Sequence, residues 1–218
     1  MLPSWRWQVT QRTLIIRLRE PYRSLSWASL GGGTRLADTI INSQVLLDDR
    51  AAVERPKLHL LQVAKSLELD PSRVVGMMTA AQVKRAGYSV VGRDDLIAGA
   101  WCTVGCSNAL RIGDPATAVT TPGTINLALV INQCLSAAAM VEAMAMATEA
   151  RVAAVMEANI RSTRTNRLAT GTGTDCIVIA ARHGGCTYQY CGKHTVIGEM
   201  IGKAVLRATT QALRRAKK

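Results

Sequence analysis

The chain has 218 residues and a formal charge of +12, with 48% apolar against 19% charged residues. That balance supports a well-buried core, and without a Pro/Ser-rich linker, low-complexity tract or repeat it reads as one domain over 1–218. The start, Met1 to Trp7, lacks the apolar run of a secretory signal, and the apolar stretch Ala137 to Met156 is broken by Glu142, Glu149 and Arg151, so neither export nor a bilayer span is expected and the chain is expected to be cytoplasmic.

Strands are expected at Thr13 to Leu18, Ser24 to Leu30 and Ile40 to Leu47, punctuated by Glu20-Pro21 and Gly31-Gly32-Gly33, with short links favouring antiparallel neighbours. Pro56 suits a first helical turn, and Leu60, Val63, Ala64 and Leu67 continue at helical spacing until Asp70-Pro71. Val74 to Thr79, Ile97 to Cys106 and Thr124 to Ile131 follow as strands, and Ser136 caps a long Ala/Met-rich helix running to about Asn159. A polar connection leads to a strand at Asp175 to Ala181 and then, through His183-Gly184-Gly185, to a hairpin. The last helix has the clearest stripe, Ile197, Ile201, Ala204, Val205, Ala208, Ala212 and Leu213, with Lys and Arg opposite. The sum is an α+β fold: a large, mostly antiparallel or mixed sheet covered by about three helices.

The positive excess gathers at Arg161, Arg164 and Arg167 and in the C-terminal helix and basic tail, Arg207 and Arg214 to Lys218, with no aromatic platform beside either cluster. Nucleic acid is therefore not an expected partner, and a basic helix end also complements the helix dipole. The six cysteines are expected reduced and mostly buried as small apolar fillers. A zinc site from His183, Cys186, Cys191 and His194 is disfavoured, because no paired Cys-x-x-Cys is present.

Polar chemistry concentrates at two glycine-bearing junctions. In Thr170-Gly171-Thr172-Gly173-Thr174-Asp175, glycines let successive amides converge on an anion or a developing oxyanion, and the threonines add hydroxyls. In Gly192-Lys193-His194-Thr195, His194 stands before a helix N-terminus with Thr195 as N-cap and Glu199 in the first turns, where a His can move protons near neutral pH. A nucleotide-binding P-loop is excluded, since six residues separate Gly185 from Gly192 where four are required. Asn108, Arg111 and Asp114 share a turn after a strand and can either bind or merely fold.

Read in order, Gly76-Met77-Met78-Thr79-Ala80-Ala81, Asn108 to Asp114, Gly123-Thr124-Ile125-Asn126, Ala169 to Asp175 and Gly192-Lys193-His194-Thr195-x-x-Gly198-Glu199 resemble the adenosylcobinamide amidohydrolase family over about residues 24–207. Gly32-Gly33 and Asn42-x-x-Val45 extend the resemblance toward the N-terminus, while the basic tail at 214–218 lies outside it. The resemblance implies a hydrolase that cleaves the amide between aminopropanol and the corrin ring of adenosylcobinamide, releasing adenosylcobyric acid in corrinoid salvage and cobamide remodelling. The corrinoid, or a related cobamide, is then substrate, with no resident cofactor or protein metal. A homo-oligomer is left open. A non-hydrolytic corrinoid carrier and, behind it, a basic nucleic-acid binder are the alternatives.

Amide hydrolysis requires an activated nucleophile, a stabilised oxyanion and protonation of the departing amine. On this resemblance, His194 is expected as proton shuttle, Asp175 or Glu199 as its orienter or as water-activating base, and the 171–174 backbone as oxyanion donors. Thr172 or Thr174 as covalent nucleophile stays open. Substrate contacts are expected from Gly171, Thr172, Gly173, Thr174, Asn108, Arg111, Asp114, Thr79 and Asn126, with Lys193 or Arg111 facing any nucleotide-loop phosphate.

Overall fold

The computed structural model describes residues 3–46, 49–116, 122–185 and 188–217. The strands are β1 (Trp5–Thr10), β2 (Thr13–Ser26), β3 (Gly33–Gln44), β4 (Val74–Thr79), β5 (Gly87–Arg93), β6 (Leu96–Val104), β7 (Ala109–Leu110), β8 (Ile125–Cys134), β9 (Gly171–Thr172) and β10 (Cys176–Arg182). The helices are α1 (Arg50–Glu54), α2 (Pro56–Ser66), α3 (Ala137–Glu157) and α4 (Val196–Ala216). The fold is α+β, with one mixed eight-stranded sheet in the order β4-β3-β2-β10-β8-β6-β5, β1 joining β2, and a separate β7-β9 ribbon.

Two strands expected on either side of Glu20-Pro21 are one long strand, β2. Its C-terminal half pairs with β10 from Tyr22 to Ser26, its N-terminal half pairs with β1 up to Leu18, and its register against β3 shifts between Arg17 and Tyr22. Pro21 falls where the partner changes, so its missing N–H breaks no ladder bond. Leu47, the expected end of the next strand, lies outside the described residues; β3 ends at Gln44. β3 with β4 and β10 with β8 are parallel, the other ladders of the large sheet antiparallel.

Alternation along the central strands sorts two cores. Ile125, Leu127, Leu129 and Ile131 of β8, with Ile177 and Ile179 of β10, face α3 and α4, meeting Ala143, Ala147, Ile201, Val205 and Ala208. The intervening Ala128, Val130, Val178 and Ala180 face inward to Leu14, Ile16, Ile40, Val75 and Trp101, so the sheet curls and packs partly on itself. Trp5 and Trp101 meet edge-on within this inner core, with centroids 6.1 Å apart. α2 covers the outside of β3 and β4 through Leu60 and Ala64 against Ile15, Ile41 and Val74.

The helix starts follow their caps. Ser136 accepts from Ala139 N–H at 3.0 Å and Thr195 from Gly198 N–H at 3.0 Å, each satisfying an amide that the helix itself leaves free. One expectation is corrected. Among the described residues, no strand folds back onto β10 as a hairpin: Tyr188 bridges in parallel to Leu135, beside the end of β8. The basic stretch expected at the end of the last helix begins within it: Arg214 and Arg215 form the last turn of α4, and Arg215 donates to Ala86 O. Among the described residues, no helix is long and apolar enough to cross a membrane.

Candidate functional site

β8 and β10 run parallel, so their N-terminal ends lie together, beside the C-terminal end of β6. Here four segments distant in sequence converge. Asp175, just ahead of β10, accepts Ile125 N–H at 3.0 Å and Thr172 Oγ1–H on Oδ1, and Thr172 N–H at 3.0 Å and the Arg151 guanidinium on Oδ2. Arg151 is buried and Asp175 nearly so, with side chains 9% and 10% exposed. One carboxylate thus ties the 171–175 turn, β8 and α3 into a unit. Gly171 is required by it, since a Cβ there would lie 2.3 Å from Asp175 Oδ2.

Thr174 donates to Gly123 O at 2.9 Å and shares a 2.7 Å hydroxyl contact with Thr124. The amides of Gly173 and Thr174 enter no hydrogen bond among the described residues, and both residues are exposed. Two adjacent N–H groups without an acceptor among the described residues, beside hydroxyls, are suited to an oxyanion. β7 pairs with β9, placing Asn108 against the same corner; Asn108 is 8% exposed, and among the described residues neither polar atom of its side-chain amide has a hydrogen-bond partner.

Other expected contacts sit around or beneath this corner. Arg111 donates its N–H to Asp114 at 2.7 Å and its guanidinium to Leu168 O at 3.0 Å, while Asp114 also accepts from Ser162 and Thr165. The Ser162 hydroxyl first, then the Arg111 amide, hold the Asp114 carboxyl below its ordinary range, so this pair braces the turn. Thr79 is buried and accepts Ala81 N–H at 3.0 Å. Asn126 is buried and donates to Asn42 Oδ1 and Met78 O, each at 2.9 Å.

The second junction lies elsewhere. Lys193 pairs with Glu149 of α3, whereas Arg151, two residues on, points to Asp175; side chains two apart on a helix project to different sides, so α3 stands between the junctions. His194 is exposed, and no hydrogen bond joins it to Asp175 or Glu199. Glu199 pairs with Lys203 and Arg93, and its bond to Lys203 holds it below the usual carboxylate range. The structure therefore brings Gly171 to Asp175, Asn108, Arg111, Asp114, Thr79 and Asn126 to one end of the sheet and leaves Lys193, His194 and Glu199 apart from them.

Cys106 and Cys176 border the cluster, their thiols pushed up to about 11, chiefly by burial and further by the Asp175 charge. They are held as thiols, not thiolate nucleophiles. Cys186 of the disfavoured zinc set lies outside the described residues, which contain no group of three metal-ligating side chains. Sequence reasoning missed Arg151, Thr124 and Trp27, whose indole N–H donates to Asp175 O at 2.8 Å. The signal for Arg151 was an arginine in the Ala139, Ala143, Ala147 stripe, where a buried charge demands a partner.

A protein of Methanocaldococcus jannaschii, itself described as uncharacterised, is 30% identical over 225 aligned positions covering 93% of this chain and 86% of its own length. A crystal structure of a Pyrococcus horikoshii OT3 protein aligns with a TM-score of 0.46 and 13% identity over 99% of this chain and 80% of that one. The model of the adenosylcobinamide amidohydrolase family matches residues 4–218, past both ends of the motif set at 24–207 and through the basic end of α4. With the match running nearly end to end, across the Asp175 corner and the His194 junction alike, the chain belongs to the adenosylcobinamide amidohydrolase family, a family of hydrolases.

Proposed function

We propose that this protein hydrolyses the amide joining aminopropanol to the corrin ring of adenosylcobinamide, releasing adenosylcobyric acid, and that the chemistry takes place at the Asp175 corner. The observation that carries this is the convergence on one nearly buried carboxylate of Thr172, Ile125 and Arg151, with Thr174 and Asn108 alongside. Asp175 is a positioning residue in this reading: four donors occupy its oxygens, and it fixes the Thr172 hydroxyl. Water held by the Thr172 hydroxyl, or that hydroxyl itself, adds to the amide carbon; the Gly173 and Thr174 amides receive the tetrahedral oxyanion, and the proton given up by the attacking oxygen passes to the aminopropanol nitrogen as its bond to carbon breaks, water then hydrolysing the acyl ester where Thr172 has attacked. The cobalt belongs to the corrinoid substrate and is not a protein metal site in this reading.

Purified protein incubated with adenosylcobinamide is expected to yield adenosylcobyric acid and aminopropanol. Thr172→Ala, which keeps the Arg151–Asp175 pair, is expected to lower kcat by roughly 10²-fold or more while the unfolding midpoint stays near that of the parent. His194→Ala is expected to cost less than about tenfold, against the 10²–10⁴ that a proton-transferring side chain contributes. The opposite pattern would move the centre to the far side of α3. Corrinoid binding without product would identify a carrier, and a trapped acyl-Thr172 adduct would identify the hydroxyl itself as nucleophile.

A further inference from the structure

We infer that Trp27 is the platform on which the flat ring system of the substrate packs, a specificity determinant of the site proposed above and resting on that reading. Of the four tryptophans, Trp5 and Trp101 are buried against each other and Trp7 leans on Tyr88 with ring centroids 5.0 Å apart. Trp27 is 53% exposed and takes part in no ring contact among the described residues. Its anchor is the indole N–H bond to Asp175 O. An indole tied by its polar edge while more than half its surface stays open is a rigid apolar face awaiting a partner.

The placement fits one kind of partner. Trp27 is bonded to the backbone of the residue whose carboxylate holds Thr172, so ring surface and hydrolytic groups keep a fixed, short separation. A substrate whose scissile amide hangs by a short arm from a large macrocycle needs that juxtaposition. The charge also fits: adenosylcobinamide is cationic or nearly neutral, a +12 protein does not attract it by net charge, and an indole face attracts cations without adding a carboxylate. The ring is assigned as the corrin, since the scissile arm belongs to it; the adenine of the adenosyl group offers the same flat chemistry.

Steady-state hydrolysis of adenosylcobinamide by Trp27→Ala and Trp27→Phe, with tryptophan quenching by dicyanocobinamide, tests this. Trp27→Ala is expected to raise KM by about tenfold or more with kcat within roughly threefold, and Trp27→Phe, which keeps a ring but loses the N–H tether, to fall between the parent and Trp27→Ala in KM with kcat again within roughly threefold. Dicyanocobinamide affinity is expected to fall in parallel in Trp27→Ala; retained affinity there would transfer the stacking role to adenine and overturn the corrin assignment. Unchanged KM in Trp27→Ala, or Trp27→Phe as impaired as Trp27→Ala, would overturn the platform, the latter by reducing Trp27 to a tether. Should the parent protein release no adenosylcobyric acid, the hydrolase reading fails, and the loss or retention of dicyanocobinamide binding in Trp27→Ala still decides the platform.

Discussion

Arg151 occupies a helix position that spacing assigns to the core, in line with Ala139, Ala143 and Ala147. Its charge is tolerable there because Asp175 meets it, and removing either partner leaves the other buried and alone, a loss of about 3–5 kcal/mol. The cysteines carry the opposite message. Cys102 and Cys191 are pushed up to about 12 and Cys106 and Cys176 to about 11, burial being the first cause in each. At pH 8 these thiols are protonated in the folded protein, and they reach the ordinary thiol range, near 8.5, only on unfolding. Iodoacetamide at pH 8 is therefore expected to label Cys102, Cys106, Cys176 and Cys191 far more slowly in native than in urea-unfolded protein, as read by peptide mass spectrometry. Rapid native labelling of Cys106 would place a reactive thiol at the Asp175 corner. The filler role of these residues was legible in their apolar neighbours, whereas the Asp175 hub was not, because Ile125 and Arg151, two of the three residues that donate to its carboxylate, come from segments distant in sequence whose contacts no local pattern reports.

Among the elements, those with side-chain punctuation were the ones legible in the sequence: Ser136 and Thr195 at helix starts, Pro56 at a first turn, and the α4 stripe. β1 and β5 were missed for a physical reason. The turn between β1 and β2 uses Gln11 and Arg12 at φ 46° and 58°, and that between β5 and β6 has Asp94 at φ 56°; these left-handed positions lack the glycine that normally signals a hairpin. The glycine pair of α4 divides in the opposite way. A Cβ on Gly198 would stand 2.2 Å from Gly192 O and 2.6 Å from Cys191 O, whereas one on Gly202 would meet nothing within 4 Å. Gly202→Ala is expected to stabilise by about 0.4–1 kcal/mol through the unfolded chain. Gly198→Ala is expected to destabilise by roughly 1–3 kcal/mol, as overpacking does. Urea unfolding of the two variants checks both signs, and equal effects would mean that the 191–198 contact yields.

At the scale of the whole molecule, the class of fold was legible but the strand order was not. Periodicity identifies a face to be buried without naming the strand that will lie beside it, and β10, late in the chain, inserts between β2 and β8. What brings the two halves of the curled sheet together is equally silent in sequence: Asn42 donates to Thr103 Oγ1 at 2.9 Å, and Asn126 donates to Asn42 Oδ1 and to Met78 O. This clasp joins the end of β3 and β4 to the start of β8, one residue past the Ile125 amide that Asp175 binds. Closing the sheet and setting the candidate site are thus mechanically one event. Asn126→Ala leaves two acceptors, Asn42 Oδ1 and Met78 O, without their donor and is expected to cost about 2–6 kcal/mol, at 1–3 for each group left unpaired. Because Asn42 shares the clasp, the double variant with Asn42→Ala is expected to depart from additivity by about 0.5–3 kcal/mol in urea unfolding. Strict additivity would show the two residues acting independently, and the Asp175 corner would then owe its geometry to the Arg151 pair and the β8–β10 ladder alone.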